Sequence, residues 1–391
     1  MNKEKNWWIS KLNNETIPRE VMPKANEIII SDCTLRDGEC QSGVVFSVEE
    51  KVEIARKLDE VGIHEIEAGM TVKSDEDDIQ AVKRIVNDGL NARIRVYCSD
   101  LEDLNLALKC GAESVAIGVH FLDGFEKLPE DKIAERFELF QYAKDHGLYT
   151  AYSMADIAYA DLGLAKRMCS IAVKDYKVDV LRISDTTGCL SPFAIQYIIR
   201  EIGKAACASL EVHCHDDFGL ATANTLASVA AGARYLSTTV NGIGARAGNA
   251  ATEEVLIGLL MLFQLDLGLR YEELLALSQL VSKMSKVGIH PHKAITGESV
   301  FAHESWVTKK KWQNQLLMEP YLAEVVGQKH ELVLGKKSGE DSIEIRAEEL
   351  GIALDKGQAR NMLDKVRKYS KSKKSAVSGE TFGHLIEEAT N

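Results

Sequence analysis

Two histidines separated by one residue, His213 and His215, are the sharpest chemical feature of this sequence. On an extended strand, residues i and i+2 face the same side, so the two imidazoles point together. Two imidazoles and a carboxylate from another segment make a mixed nitrogen and oxygen site for a divalent metal, with positions left for substrate. Asp37, in the stretch Asp32-Cys33-Thr34-Leu35-Arg36-Asp37-Gly38-Glu39, is the expected carboxylate, and the Asn249 amide oxygen is a weaker fourth ligand. Arg36 adjoins Asp37. A guanidinium beside a metal holds a substrate carboxylate bidentately or stabilises an enolate oxyanion. The plainer reading makes one histidine a core residue and the other a helix cap, and pairs Arg36 with Asp37, Glu39 or Glu67. Gly242, Gly244 and Gly248 form a loop able to approach a phosphate closely, although turn chemistry alone explains it.

These side chains need a scaffold that gathers distant segments. From Asn26 a β-rich run, a turn and an amphipathic helical stretch recur. The strand candidates are Glu27–Cys33, Glu65–Gly69, Ile94–Cys98, Ser114–Val119, Tyr149–Met154, Val178–Ser184, Leu210–His215 and Tyr235–Val240. Between them the helical period predicts helices at Val48–Val61, Asp77–Val86, Leu101–Lys109, Lys132–His146, Leu164–Asp175, Pro192–Ala205 and Ala221–Ala231. Several end in Gly, the usual left-handed stop. Some strands are continuous apolar runs rather than alternating ones, as expected when both faces are buried. Together they predict an α/β fold, a (β/α)8 TIM barrel over 27–275, whose active site lies at the C-terminal ends of the strands. The proposed ligands fall at such ends, which strengthens the His-x-His reading. An open doubly wound sheet is the alternative, weakened because no GxGxxG follows the first strand. Residues 1–26 read as an N-terminal extension and 276–391 as a C-terminal, mainly helical subdomain carrying helices at Tyr271–Met284 and Gln358–Tyr369. In that subdomain the basic run 368–375 reads first as a solvated surface.

Composition narrows the function classes. Lys plus Arg number 47 and Asp plus Glu 59, a net charge of −12. An acidic chain without a basic cluster is a poor partner for nucleic acid or an anionic membrane. The longest apolar run, Val255 to Phe263, is about half a membrane span. The 8 cysteines form no Cys-x-x-Cys pair, which argues against a disulfide scaffold or zinc ribbon. The expectation is a soluble, cytoplasmic globular protein.

The segments DCTLRDGE (32–39), HCHDDFGLATAN (213–224), GARAGNAATEEV (244–255) and LVLGKKSG (332–339) resemble the homocitrate synthase and 2-isopropylmalate synthase family of barrel metalloenzymes. The likeness is strongest to the short, nitrogen-fixation-type homocitrate synthases. It implies a Claisen condensation: a 2-oxo acid chelates a divalent ion (Mg2+, Mn2+, Co2+ or Zn2+), a base deprotonates acetyl-CoA, and thioester hydrolysis leaves a 2-hydroxy di- or tricarboxylate. The matching positions are Asp37, His213, His215 and Asn249 for metal, Arg36 and Glu67 for catalysis, and Thr186 for substrate. The resemblance also implies a homodimer.

Several positions depart from the family pattern. Cys40 replaces a substrate-side glutamine, and Ala155 to Tyr159 replace a strand-5 motif with Glu and Arg. Ser99 takes the place of a strand-3 arginine, Asp216 that of an asparagine, and Ala245 that of a glutamate. Thr308 stands where the family carries its basic histidine, and Lys337 where it carries a second one. The metal and chelated oxo acid are therefore expected to persist, while Cys40, Tyr159 and Ser99 imply an altered oxo-acid pocket. His303 or Glu304 is the expected substitute base. The rivals are a retro-Claisen or aldol lyase of the hydroxymethylglutaryl-CoA lyase type, and a ligand-binding paralogue without turnover.

Overall fold

The structure is a computed structural model that describes residues 6–15, 22–70, 76–123 and 126–390; residues 1–5 and 16–21 of the expected extension lie outside the described residues. The barrel strands are β1 (Ile29–Asp32), β2 (Glu65–Met70), β3 (Arg93–Cys98), β4 (Ser114–His120), β5 (Tyr149–Ala155), β6 (Val180–Asp185), β7 (Ser209–Cys214) and β8 (Tyr235–Thr238). They run parallel in a closed ring, each beside its neighbours in sequence, and β1 meets β8 from Ile29↔Tyr235 to Asp32↔Thr238. The expected TIM barrel is the fold.

Local sequence explains the helical layer. The helix Val48–Val61 starts at a capping box: Ser47 accepts from the Glu50 N–H, and Glu50 accepts from the Ser47 N–H. It ends at Gly62 with φ 98°. Its face of Ile54, Ala55, Leu58 and Val61 is fully buried. Each buried Ile or Leu there contributes roughly 1.5–3 kcal/mol by leaving water. The stretch expected as one helix, Lys132–His146, is instead two, Glu130–Glu135 and Phe137–Asp145. The break is a tightened turn in which the Arg136 N–H donates to Ile133 O.

The described chain divides into two compact units, one within 11–289 and a second formed by 6–10 with 290–390. The helix Leu274–Ser285, which the sequence reading carried mostly into the C-terminal subdomain, belongs to the barrel unit. The Asn241 amide, in the turn after β8, donates to the Ser278 carbonyl of that helix. The second unit has a core of its own, including Leu332, Leu334, Ile343, Met362, Val366 and Phe382. It contains the expected helix, here Lys356–Lys373, and three that the periodicity did not reveal, the short Lys309–Trp312 and the longer Glu340–Glu349 and Gly379–Thr390. Glu340–Glu349 buries Ser342, Ile343, Ile345 and Ala347, which make no single apolar stripe. The Trp8 N–H donates to Pro320 O, so the start of the described chain pairs within this unit. Among the described residues no helix is long and apolar enough to cross a membrane.

Candidate active site

A tight turn after β1 aims the first two side chains. The Cys33 carbonyl accepts from the N–H groups of Arg36, Asp37 and Gly38. The turn is stapled to neighbouring segments: Asp32 accepts from the Thr34 N–H and the Thr252 hydroxyl, and Thr34 accepts from the Val240 N–H. Across the mouth, His213 leaves β7 and His215 follows it. The Nε2 atoms of His213 and His215 lie 3.1 and 3.7 Å from Asp37 Oδ2 and 3.4 Å from each other. All three side chains are buried.

Asn249 completes the group. Its side-chain nitrogen lies 2.6 Å from Asp37 Oδ2, while its Oδ1 is buried and unpartnered. The loop after β8 that places it depends on Gly248, at φ +92°, where an added Cβ would fall 1.9 Å from the Gly242 carbonyl oxygen. No other residue fits there without moving the loop.

The donor set suits a divalent ion. The ligand-atom separations of 3.1 to 3.7 Å match the edges of a coordination shell built on bonds of about 2.0–2.2 Å. His213 Nδ1 is 2.8 Å from the Ser237 hydroxyl, the outer partner that fixes a ligating imidazole with its other nitrogen free. Burial would raise the Asp37 pKa, but the Arg36 guanidinium and the two imidazoles hold it well below the carboxylate range. Burial, with His213 beside it, lowers the His215 pKa to about 4, so that imidazole stays neutral.

Arg36 sits 3.3 Å from Asp37 Oδ1, donates from Nε to Glu67 at 2.5 Å, and lies over the Tyr97 ring. Glu67 in turn receives Arg182 at 2.6 Å. Behind them runs a line of alternating charge that the sequence reading missed. Arg182 pairs with Glu211, Glu211 with Arg95, Arg95 with Glu65, and Glu65 with Arg93, at 2.6 to 2.8 Å. The available signal was charge at alternate positions of otherwise apolar strands, as in Glu65/Glu67, Arg93/Arg95 and Glu211/His213. Despite burial, Arg182 and Arg36 keep Glu67 ionised, well below its usual pKa.

The other expected residues are spread more widely. Thr186, just after β6, accepts the Asp156 N–H at 2.8 Å, and its carbonyl receives Arg246. Tyr159 is half exposed, its hydroxyl 3.1 Å from Thr187 Oγ1. Burial and the nearby Asp37 charge raise the Cys40 thiol, which favours its neutral form, and Gln41 accepts from the Gly244 N–H instead. Near Ser99 the structure supplies a cation that the sequence reading did not find: Arg136 Nη2 donates to the Ser99 carbonyl at 2.7 Å. His120 pairs with Asp156 at 3.1 Å.

His303 and Glu304 lie in the second unit. His303 Nε2 is 2.5 Å from Glu319, and Glu304 accepts the Lys337 N–H at 2.6 Å. Thr308 serves as an N-cap, accepting from the Lys311 N–H.

A closed parallel barrel whose strand ends converge on an acid, two histidines and a guanidinium defines a TIM-barrel enzyme. Residues 27–281 match the HMGL-like family model, and 295–374 match the model described as homocitrate synthase post-HMGL domain-like. The chain is 37% identical to homocitrate synthase AksA of Methanothermobacter thermautotrophicus, covering 92% of this chain and 93% of that one. It is 37% identical to homocitrate synthase 1 of Nostoc sp., covering 93% and 98%. A 40% identity to the putative (R)-citramalate synthase CimA of Archaeoglobus fulgidus covers 87% of this chain and 71% of that one. Among solved structures, the HMG-CoA lyase of Bacillus subtilis superposes with a TM-score of 0.60 at 19% identity, over 68% of this chain and 96% of that one, a likeness of fold. The chain belongs to the HMGL-like family, in its homocitrate synthase and 2-isopropylmalate synthase group, and is an enzyme of the acyltransferase type.

Proposed function

We propose that this enzyme condenses acetyl-CoA with a 2-oxo acid at a divalent ion held by Asp37, His213, His215 and Asn249, releasing CoA and a 2-hydroxy di- or tricarboxylate. The observation that carries this is the convergence of three buried ligand atoms on one point beside Arg36, with the Asn249 amide oxygen left without a partner. Rotating that amide turns its oxygen toward Asp37, where only a cation would favour it. The bound ion would supply Lewis acidity to the ketone of the oxo acid. Arg36, oriented by Glu67 and stacked over Tyr97, holds the substrate carboxylate and stabilises the acetyl enolate as it forms. Thr186 orients the oxo acid, and Cys40 and Tyr159 border its side chain.

For the acetyl proton the candidates are His303 and Glu304, both in the second unit. Arg136, anchored at Ser99, would face the distal end of the oxo acid, which favours an acid with a second carboxylate. The homodimer and the cytoplasmic setting belong to the same reading, the latter supported by eight free cysteines.

The test is acetyl-CoA and Mn2+ with a panel of mono- and dicarboxylic 2-oxo acids, followed by thiol release and mass spectrometry of the product. A hydroxy acid carrying the mass of one added acetate unit supports the proposal. Absence of thiol release with every acid, while 3-hydroxy-3-methylglutaryl-CoA is cleaved, replaces it with the lyase reading.

A further inference from the structure

A second cluster of metal-ligating side chains lies within the 290–391 segment: His303, Glu319 and His330. Three chain segments bring it together. His303 ends the two-residue strand Ala302–His303, which pairs in parallel with Glu331–Leu332, so His330 enters beside it. Glu319 comes from the loop before Pro320, next to the residues that bind the start of the described chain. The Trp312 ring lies 4.3 Å from the His330 ring, tilted 38° to it.

Glu319 is the centre of the group. Its side chain is 3% exposed, and Oε1 lies 2.5 Å from His303 Nε2 and 2.7 Å from His330 Nδ1. Among the described residues no Lys or Arg pairs with this carboxylate, and its Oε2 is buried without a partner. The His330 side chain is 8% exposed, and neither ring nitrogen makes a hydrogen bond, although Nδ1 sits so close to Glu319. The three ligand atoms lie within 4.8 Å of one another, close enough for one ion to be shared among them. Ligands gathered on a shared centre are arranged in that way. A buried carboxylate facing only two imidazoles also lacks a fixed positive charge, which a divalent cation would supply.

We propose that His303 Nε2, Glu319 and His330 Nδ1 form a second cation site, suited to Zn2+, independent of the barrel site. Two imidazoles and one carboxylate with water at the fourth position are an ordinary zinc set. Bonds of about 2.0–2.2 Å put tetrahedral ligand atoms about 3.3 Å apart, so filling the site opens the His303 and Glu319 contact by less than about 1 Å. The ion would tie together the strand bearing His303, the Glu319 loop and the strand after His330.

The test uses full-length protein stripped with chelator and titrated with Zn2+, and with Co2+ as a visible reporter. Wild-type protein is expected to bind two ions per chain. An H213A/H215A variant keeps one, with the d–d absorption of tetrahedral Co2+, and adding H330Q removes it. Because Glu319 and His330 are buried, H303Q at the more exposed ligand is the second variant, with circular dichroism confirming its fold. Loss of one ion in folded H303Q supports the site. The proposal is overturned if H213A/H215A protein binds no ion, or if H303Q and H330Q leave the stoichiometry unchanged. Condensation activity plays no part in this readout, so failure here leaves the barrel reading untouched.

Discussion

Substituting Glu67 by Gln tests whether the buried charge line sets the position of Arg36. The line runs Arg93, Glu65, Arg95, Glu211, Arg182, Glu67, Arg36, Asp37, with four positive and four negative members in strict alternation. Glu67 is fully buried and lies between two guanidiniums at 2.5 and 2.6 Å, so E67Q leaves one positive charge uncompensated. Breaking a buried pair from one side costs about 3–5 kcal/mol. Coulomb's law gives a similar figure, about 4 kcal/mol for charges near 4 Å apart at an effective dielectric of 20. At roughly 2–4 °C per kcal/mol, the melting temperature should fall by about 6–20 °C. Asp37, His213 and His215 do not touch Glu67, so metal stoichiometry should stay unchanged. With Arg36 released, kcat should fall about 100-fold, as for a catalytic group misplaced by about 1 Å. The double variant E67Q/R182Q restores the charge balance, so it should regain part of the lost melting temperature and none of the lost kcat. Calorimetry and steady-state thiol release read the two effects separately. An E67Q protein that melts with wild type, or that keeps its kcat, refutes the proposed role of the line.

Three further outcomes follow from the same geometry. D37N, or chelator treatment of wild type, should abolish turnover, and only chelated wild type should recover when Mn2+ is returned; activity in D37N would remove Asp37 from the ligand set. G248A should cost more than about 2 kcal/mol and weaken metal binding, since its Cβ overlaps a carbonyl oxygen and φ is positive, and an unperturbed variant would show that the loop tolerates the shift. Asp32 gives a pH signature. Burial pushes its carboxyl up to about 6 in the fold, against 3.8 as the ordinary value. Between these values the unfolded chain ionises first, so the contribution of Asp32 to stability is complete below about pH 4 and lost as pH rises toward 6. The loss is about 3 kcal/mol, at 1.36 kcal/mol per pKa unit. D32N should be flatter across that window in denaturant titrations, and equal slopes for the two proteins would reject the assignment.

Strand number, strand order and the identity of the barrel's polar mouth were legible because each rests on local pattern. Gly62 and Gly111 end helices with φ of 98° and 80°, and the continuous apolar runs mark strands buried on both faces. The cluster of Asp37, His213, His215 and Asn249 was legible for a related reason. A barrel converts position at a strand end into proximity, so residues 212 apart in sequence reach hydrogen-bond distance. The charge line was not legible, because Arg95, Arg182 and Glu211 sit in runs that period alone marks as core, and what satisfies them comes from other strands.

The same limit explains the cation at Ser99. A residue-by-residue comparison with the family pattern finds serine where an arginine was expected and concludes that the charge is gone. The helix break at Arg136 instead brings a guanidinium from 37 residues downstream to that serine's own carbonyl. Position in the motif and position in space have separated. On the proposed function, the charge that would read a distal carboxylate is carried by the break between two helices rather than by a barrel strand. A side chain held by one hydrogen bond to a carbonyl is less restrained than one fixed in a strand ladder. An oxo-acid pocket built this way should accept chain lengths that a strand-borne arginine would reject. Comparing kcat/KM across dicarboxylic 2-oxo acids of increasing length, for wild type and R136A, measures it. A broad wild-type profile that collapses uniformly in R136A supports the reading, and a sharp profile indifferent to R136A ends it.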